Sequence, residues 1–367
     1  MPIYMDRHEL TENVTAEHVA EIHQEDLKHE HKFGCKGLTY WFDDKRKSAF
    51  CLIKAPNKKA IEDMHALAHG GVPHSIIEVD AAVVESFLGR IGDPVKAQNT
   101  ELNIINDPAF RIIMVTGFEG EYLKYSESDL NDANFENYHK SVIKLLIRFN
   151  GSLIKKKSDC FLISFEGISD AVYCAIEIQT TFKKFINDHN FSDLVLKIGL
   201  SAGVPVTEKK EIFEDTIKLA ERLCNVVNGQ IVVSAEVKDL FESENLNVTI
   251  DKELVRTLHP SDEKFLNVLM DFTEQIWNKT DLKVDDFSRN LGLSKSQLYR
   301  KLKAITGKSL NTFVKEYRLN KALMLLEKQK GNISEIAFET GFNSPAYFSK
   351  CFQETYGVLP SSYSRQY

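Results

Sequence analysis

The sequence predicts a multidomain chain, α+β over roughly its first two thirds and all-α over the rest. Three observations lead there. Strand-length apolar runs alternate with amphipathic helical runs from residue 3 to about 240. Eight of the eleven histidines fall within residues 1–80, which sets that stretch apart from the rest of the chain. From residue 261 onward, short amphipathic helices separated by glycine turns replace the strands.

A length of 367 fits two or three domains of about 100–200 residues each, and 43% hydrophobic residues suffice for real cores. No apolar run approaches the ~18–20 residues that cross a bilayer. The opening Met-Pro-Ile-Tyr-Met-Asp also lacks a signal peptide's charge and apolar stretch. A cytoplasmic protein with no membrane partner is therefore expected. Cys35, Cys51, Cys160, Cys174, Cys224 and Cys351 form no CxxC pair, which suits free thiols in a reducing compartment. The net charge is −7, yet residues 261–367 hold 16 Lys/Arg against 12 Asp/Glu, or +4, leaving −11 for the rest.

Residues 1–82 read as strand Ile3–His8, helix Ala16–Lys32, strands Gly37–Phe42 and Ala49–Lys54, helix Lys58–His69 and strand Ser75–Asp80. The polar Asp43-Asp44-Lys45-Arg46 makes the hairpin turn. This βαββαβ order predicts a ferredoxin-like α/β sandwich with both helices on one sheet face. Residues 83–108, with Gly89, Gly92, Pro94 and Pro108, read as a linker. Residues 109–245 form a second α/β unit. Its strands are Arg111–Val115, Gly151–Lys156, Cys160–Phe165, Val195–Ala202 and Gln230–Ser234, and its helices lie near Asp129–Phe149, Ile168–Asp188 and Asp215–Asn228. Residues 246–260 read as a second linker.

The all-α end, 261–367, contains the same plan twice. Val284–Asn290 is a short helix, Gly292 turns the chain, and Ser294 caps a second helix ending at Gly307. Ile333, Ile336 and Ala337 open another helix, Gly341 breaks it, and an amphipathic run extends from Ser344 to Tyr356. Residues Leu310–Glu327 join the two units. A helix that enters the major groove needs short polar or basic side chains outward and apolar ones behind. Leu298 and Leu302 face inward, which turns Ser296, Gln297, Tyr299, Arg300 and Lys303 outward. Arg300 suits a guanine, Gln297 an adenine, and Lys303 a phosphate. In the second unit Phe348 and Phe352 face inward, leaving Ser344, Ala346, Tyr347 and Lys350 outward. Double-stranded DNA is the partner expected from this double helix-turn-helix domain.

The pattern I-x-x-I-A-x-x-x-G-F-x-x-x-x-Y-F-x-x-x-F over 333–352, then Gly357, Pro360 and Tyr363, resembles the AraC family of bacterial transcription regulators. That resemblance implies two recognition helices in successive major grooves and, for a transcription regulator, RNA polymerase as a further partner.

Strand Ile112–Val115, the stretch Asn150–Phe165, Leu196-Lys-Ile-Gly-Leu200, and Asp215–Leu223 with Gly229–Ser234 resemble the class III adenylate/guanylate cyclase domain. Such enzymes hold two metal ions on two aspartates. Asp159 matches the second aspartate, but Thr116 stands at the first and Lys218 at the ribose asparagine, while Arg222 matches the transition-state arginine. One carboxylate cannot organise two metals. The expectation is a degenerate, non-catalytic domain that pairs with itself, giving a homodimer. The alternative from another class is an active cyclase with a DNA-binding tail.

Asp6 and His8, the His23-x-x-Asp26 pair, Tyr40-Trp41, Cys51-Leu52, Ala55-Pro56 and His65-x-x-x-His69-Gly70 resemble a small ferredoxin-like family with nickel-binding members. Spacing gives separate support, because His23 and Asp26 share one helix face, as do His65 and His69. Asp6, His8, His23, Asp26, His65 and His69 are therefore candidate ligands for nickel or another divalent transition metal. The alternative is a sensor of a small organic ligand. His65-Ala-Leu-Ala-His69 lacks the glutamate of a metalloprotease helix.

Overall fold

The structure, a computed structural model, describes residues 1–95, 102–119, 133–156, 160–189, 194–245, 248 and 250–365. Asp159 and the expected start of the helix at Asp129 lie outside them.

The first unit consists of β1 (Ile3–Glu9), α1 (Ala16–His29), β2 (Lys36–Asp43), β3 (Ser48–Lys54), α2 (Lys58–Ala68) and β4 (Ser75–Val79). Thr15 and Asn57 cap the two helices through their side chains. The sheet order is β2-β3-β1-β4, with antiparallel pairs throughout, as a ferredoxin-like sandwich requires. Alternation gives the sheet two faces. Tyr4, Tyr40, Phe42, Cys51 and Ile53 pack under the helices. Met5, Trp41, Phe50, Leu52 and Ile77 turn the other way, into a core shared with Ile113, Val115, Phe213 and Ala220 of the second unit.

That second unit contains β5 (Arg111–Glu119), α4 (Ala133–Arg148), β6 (Ser152–Lys156), β7 (Phe161–Phe165), α5 (Ile168–His189), β8 (Val195–Gly203), α6 (Glu214–Asn225), β9 (Ile231–Val233) and α7 (Ala235–Glu244). Its sheet runs β10-β9-β8-β5-β7-β6, where β10 is Val255–Thr257. A Cβ on Gly199 would lie 2.2 Å from the Ala220 carbonyl, so glycine is what lets α6 lie directly on β8.

Both segments read as linkers carry structure. Asp80 caps α3 (Ala81–Leu88), whose Val84, Phe87 and Leu88 enter the core between the two sheets. Tyr40 Oη donates to the Asn103 carbonyl and accepts from Ile105 N–H, both at 2.9 Å. β10 pairs in parallel with β9. Each segment is too apolar to remain in water: Phe87, Leu88, Ile105 and Val255 are all buried.

The last third is helical: α8 (Pro260–Ile276), α9 (Val284–Leu291), α10 (Lys295–Thr306), α11 (Leu310–Glu327), α12 (Ile333–Glu339), α13 (Pro345–Tyr356) and α14 (Pro360–Tyr363). Gly292 (φ +64°) and Gly341 (φ +78°) occupy the left-handed region at the two tight turns, where other residues are strained. The two helix-turn-helix units do not share a core. Leu298, Leu302 and Phe313 pack with α8 and with Leu223, Val227 and Val232 of the second unit. Leu319, Leu326, Ile336, Phe348 and Phe352 form a separate core around α12 and α13. The first helix-turn-helix unit is thus built onto the α/β body, and α11 carries the second.

Candidate metal centre and nucleic-acid interface

Strand alternation puts Asp6 and His8 on the helix-facing side of β1, beneath α2. His65, on the buried face of α2, reaches both neighbouring elements. Its Nε2 lies 2.9 Å from Asp6 Oδ2, and its Nδ1 lies 3.0 Å from Asp26 Oδ1 of α1 and 3.0 Å from His69 Nε2. His69 Nε2 is in turn 3.4 Å from Asp26 Oδ1. The side chains of His65 and Asp6 are fully buried. Burial alone would lower the His65 pKa, but Asp26 and Asp6 at its two nitrogens push it up to about 10. Burial would likewise raise Asp6, and His8 and His65 together hold it well below the usual carboxylate range.

Asp6 also accepts the Cys51 N–H at 3.0 Å, a contact that arises from the Asp6–Cys51 pairing in the β1–β3 register. His8 Nε2, itself buried, lies 3.3 Å from Asp6 Oδ1, within ion-pair distance but without an aligned hydrogen bond. Two metal-capable groups result: Asp26, His65 and His69, and Asp6, His8 and Cys51, with the ligand atoms in each within 4.8 Å of one another. Sequence alone does not single out Cys51 as a ligand, because alternation gives its face but only the register gives its neighbour. Burial, reinforced by Asp6, keeps its thiol protonated.

His23 is not brought into either group. It faces β2 instead, where its ring lies 4.9 Å from that of Tyr40 and its Nε2 3.7 Å from Asp93. Residue 23 sits one turn before Asp26 on α1, and β2 rather than α2 is its neighbour there.

Distances within the first group test the fit of an ion. Ligand atoms about 2.1 Å from a metal sit about 3.0 Å apart at right angles and about 3.4 Å apart at tetrahedral angles. The three observed spacings span that range, and two imidazoles with a carboxylate suit a divalent transition metal. Asp6 on the far nitrogen of His65 is the carboxylate that such a ligand needs to fix its orientation.

In the helical domain, Ser296, Gln297, Tyr299, Arg300 and Lys303 of α10 are exposed, as are Ala346, Tyr347 and Lys350 of α13, while Ser344 is half-buried. Local bonding modifies this picture. Gln297 Oε1 accepts from Ser294 N–H at 2.9 Å while Ser294 Oγ accepts from Gln297 N–H at 3.3 Å, so a capping box engages the glutamine's acceptor. Lys303 Nζ donates to the Gly307 carbonyl at 2.6 Å, at the far end of α10. Ser344 is the N-cap of α13. Arg300 is exposed on α10, and no such tie to another of the described residues holds it.

The cyclase-type positions lie apart. Thr116 is buried on β5, and its Oγ1 accepts Phe161 N–H at 3.0 Å, a bond that ties β5 to β7. Lys218 pairs with Glu214 at 2.6 Å on the surface of α6. Arg222 donates to Asn267 Oδ1 at 2.6 Å and pairs with Asp271, which fastens α6 to α8.

Residues 287–366 match the helix-turn-helix domain family, and residues 4–79 match the family described as nickel responsive protein SCO4226-like. Histidine kinase P4 of Formosa agariphila is 40% identical over 177 residues, covering 48% of this chain and 12% of that protein. The transcriptional regulator MtrA of Neisseria gonorrhoeae is 33% identical over 98 residues, covering 27% of this chain and 31% of its own length. A solved adenylate/guanylate cyclase/hydrolase from Silicibacter pomeroyi overlaps 38% of this chain and 83% of its own, at 21% identity and a TM-score of 0.33. The chain therefore spans about an eighth to a third of the length of these two curated relatives. It joins an N-terminal domain of the nickel responsive, SCO4226-like type to a C-terminal helix-turn-helix domain of the AraC type.

Proposed function

We infer that the protein is a DNA-binding transcription regulator of the AraC type, acting in the cytoplasm, whose N-terminal domain responds to a divalent transition metal such as nickel. The observation that carries the DNA reading is the pair of helix-turn-helix units, each presenting an exposed second helix over its own apolar core. Sequencing of DNA fragments retained by the full chain from a random pool tests it. A recurrent motif with two half-sites about one helical turn apart is expected, and a pool that stays random contradicts it.

Asp26, His65 and His69 would hold the ion, with Asp6 orienting His65. Bound metal would supply a cross-link between α1 and α2. His8 and Cys51 border this set through Asp6. The middle domain is read as a pseudo-cyclase that connects the metal domain to the reading heads and supports a homodimer. Thr116 offers no carboxylate, and Arg222 is engaged by α8.

A further inference from the structure

α5 presents Ile176, Gln179, Thr180 and Lys183 along one face toward the start of β9 and the turn before β10. Between them lies a cavity of about 230 Å³. Gln179 lines it while only 5% exposed, and its Oε1 has no hydrogen-bond partner. An acceptor left unpaired at that depth is costly unless something donates to it.

The charge of the lining points to the donor's chemistry. Lys183, Lys252 and Arg256 contribute three cations against one carboxylate, Glu253. Arg256 donates to the Ala304 carbonyl at 2.8 Å, to Ile305 at 3.3 Å and to Asn228, using Nη1 and Nη2 only. Of the five guanidinium hydrogens, the one on Nε and one on Nη2 remain for a ligand. The cavity is smaller than the roughly 300–1,000 Å³ of sites for drug-sized molecules. It suits a small molecule with anionic oxygens for the cations and an O–H for Gln179.

We propose that this cleft between α5, β9 and β10 binds a small anion carrying a hydroxyl donor, of the hydrogenphosphate or hydroxycarboxylate kind. Ala304 and Ile305 lie in the last turn of α10, the exposed helix of the first helix-turn-helix unit. Arg256 therefore sits on the negative end of that helix. A ligand that draws on Arg256 links cleft occupancy to the placement of α10, and the coupling runs in both directions.

Titration calorimetry on the full chain at fixed ionic strength, with phosphate, malate and sulfate as separate probes, tests the site. Sulfate has the charge but no hydroxyl donor. Saturable binding of phosphate or malate is expected, at least roughly tenfold tighter than sulfate. Whichever of the two binds identifies the source. Gln179→Leu should erase the preference over sulfate, and the surface pair Lys183→Ala/Lys252→Ala should weaken binding roughly tenfold without touching the core. No saturable binding of phosphate or malate, binding equal to that of sulfate, or affinity unchanged in both variants would overturn the proposal.

Discussion

His65 and Asp6 meet at 2.9 Å in the buried interior of the first domain, joining the last turn of α2 to the middle of β1. The contact matters because β1 is two-sided. Asp6 faces the histidine cluster, whereas the adjacent Met5 is wholly buried in the core shared with Ile113, Val115 and Phe213. One strand thus carries the candidate metal centre on one face and the contact to the second unit on the other. From there Arg222 and the core around Leu223 and Leu266 continue to α8 and the first helix-turn-helix unit. Under the proposed function, this continuity is the packed route by which a metal at α1 and α2 would act on DNA binding, provided it favours one state of that body over another.

Arg300→Ala is expected to cost about 1–3 kcal/mol at one base position of the selected motif. Lys303→Ala should weaken all sequences alike and flatten the salt dependence by about one phosphate. Competition binding against single-base variants at several salt concentrations separates the two. Equal losses on specific and random DNA in both variants would remove Arg300 from base reading.

Leu266 is fully buried in the core that α8 shares with α6 and α10. Leu266→Ala should destabilise the chain by about 2–5 kcal/mol. It should lower the unfolding midpoints of the middle domain and the first helix-turn-helix unit together. Calorimetry in which only one of several transitions moves would show that the two do not form one cooperative unit.

His139 of α4 is half-buried, its ring stands edge-on to Phe161 at 5.3 Å, and its Nε2 has no partner. Burial first, and then Lys156, push its pKa down to about 4 from an ordinary 6.5. The unfolded chain therefore binds this proton more readily than the folded one. The stability it contributes is complete above pH 6.5 and is lost as pH falls toward about 4. Urea unfolding at about pH 7.5 and about pH 5, on either side of the ordinary histidine value, should show a smaller acid loss in His139→Leu than in the parent chain. Parallel losses in both would exclude His139 as the source.

No cyclic nucleotide is expected from ATP or GTP with magnesium or manganese. Thr116→Asp alone should not restore turnover, since Lys218 and the α8-bound Arg222 remain. Product that Asp159→Ala abolishes would reverse this reading.

Much of the plan is legible in residue spacing. His65 and His69 four apart, Asp6 and His8 two apart, and glycines at 292 and 341 each fix a face or a turn locally. What spacing does not carry is the third dimension. His23 shares a helix face with Asp26, yet it is the neighbour in β2, Tyr40, that receives it. The 83–108 and 246–260 stretches read as linkers because Gly, Pro and short length suggest turns, whereas Phe87, Ile105 and Val255 find burial only after distant strands assemble. Gln297 faces outward as expected, but the capping box formed with Ser294 competes for its side chain.

The most direct measurement is the affinity of the full chain for its selected DNA, with and without nickel, in the parent protein and in His65→Ala/His69→Ala. A coupling of about 1–3 kcal/mol, which is roughly 5–150-fold in affinity, is expected in the parent and absent from the double variant. Nickel that binds the parent protein yet leaves its DNA affinity unchanged, or that shifts parent and variant equally, would contradict control of the reading heads by the histidine cluster.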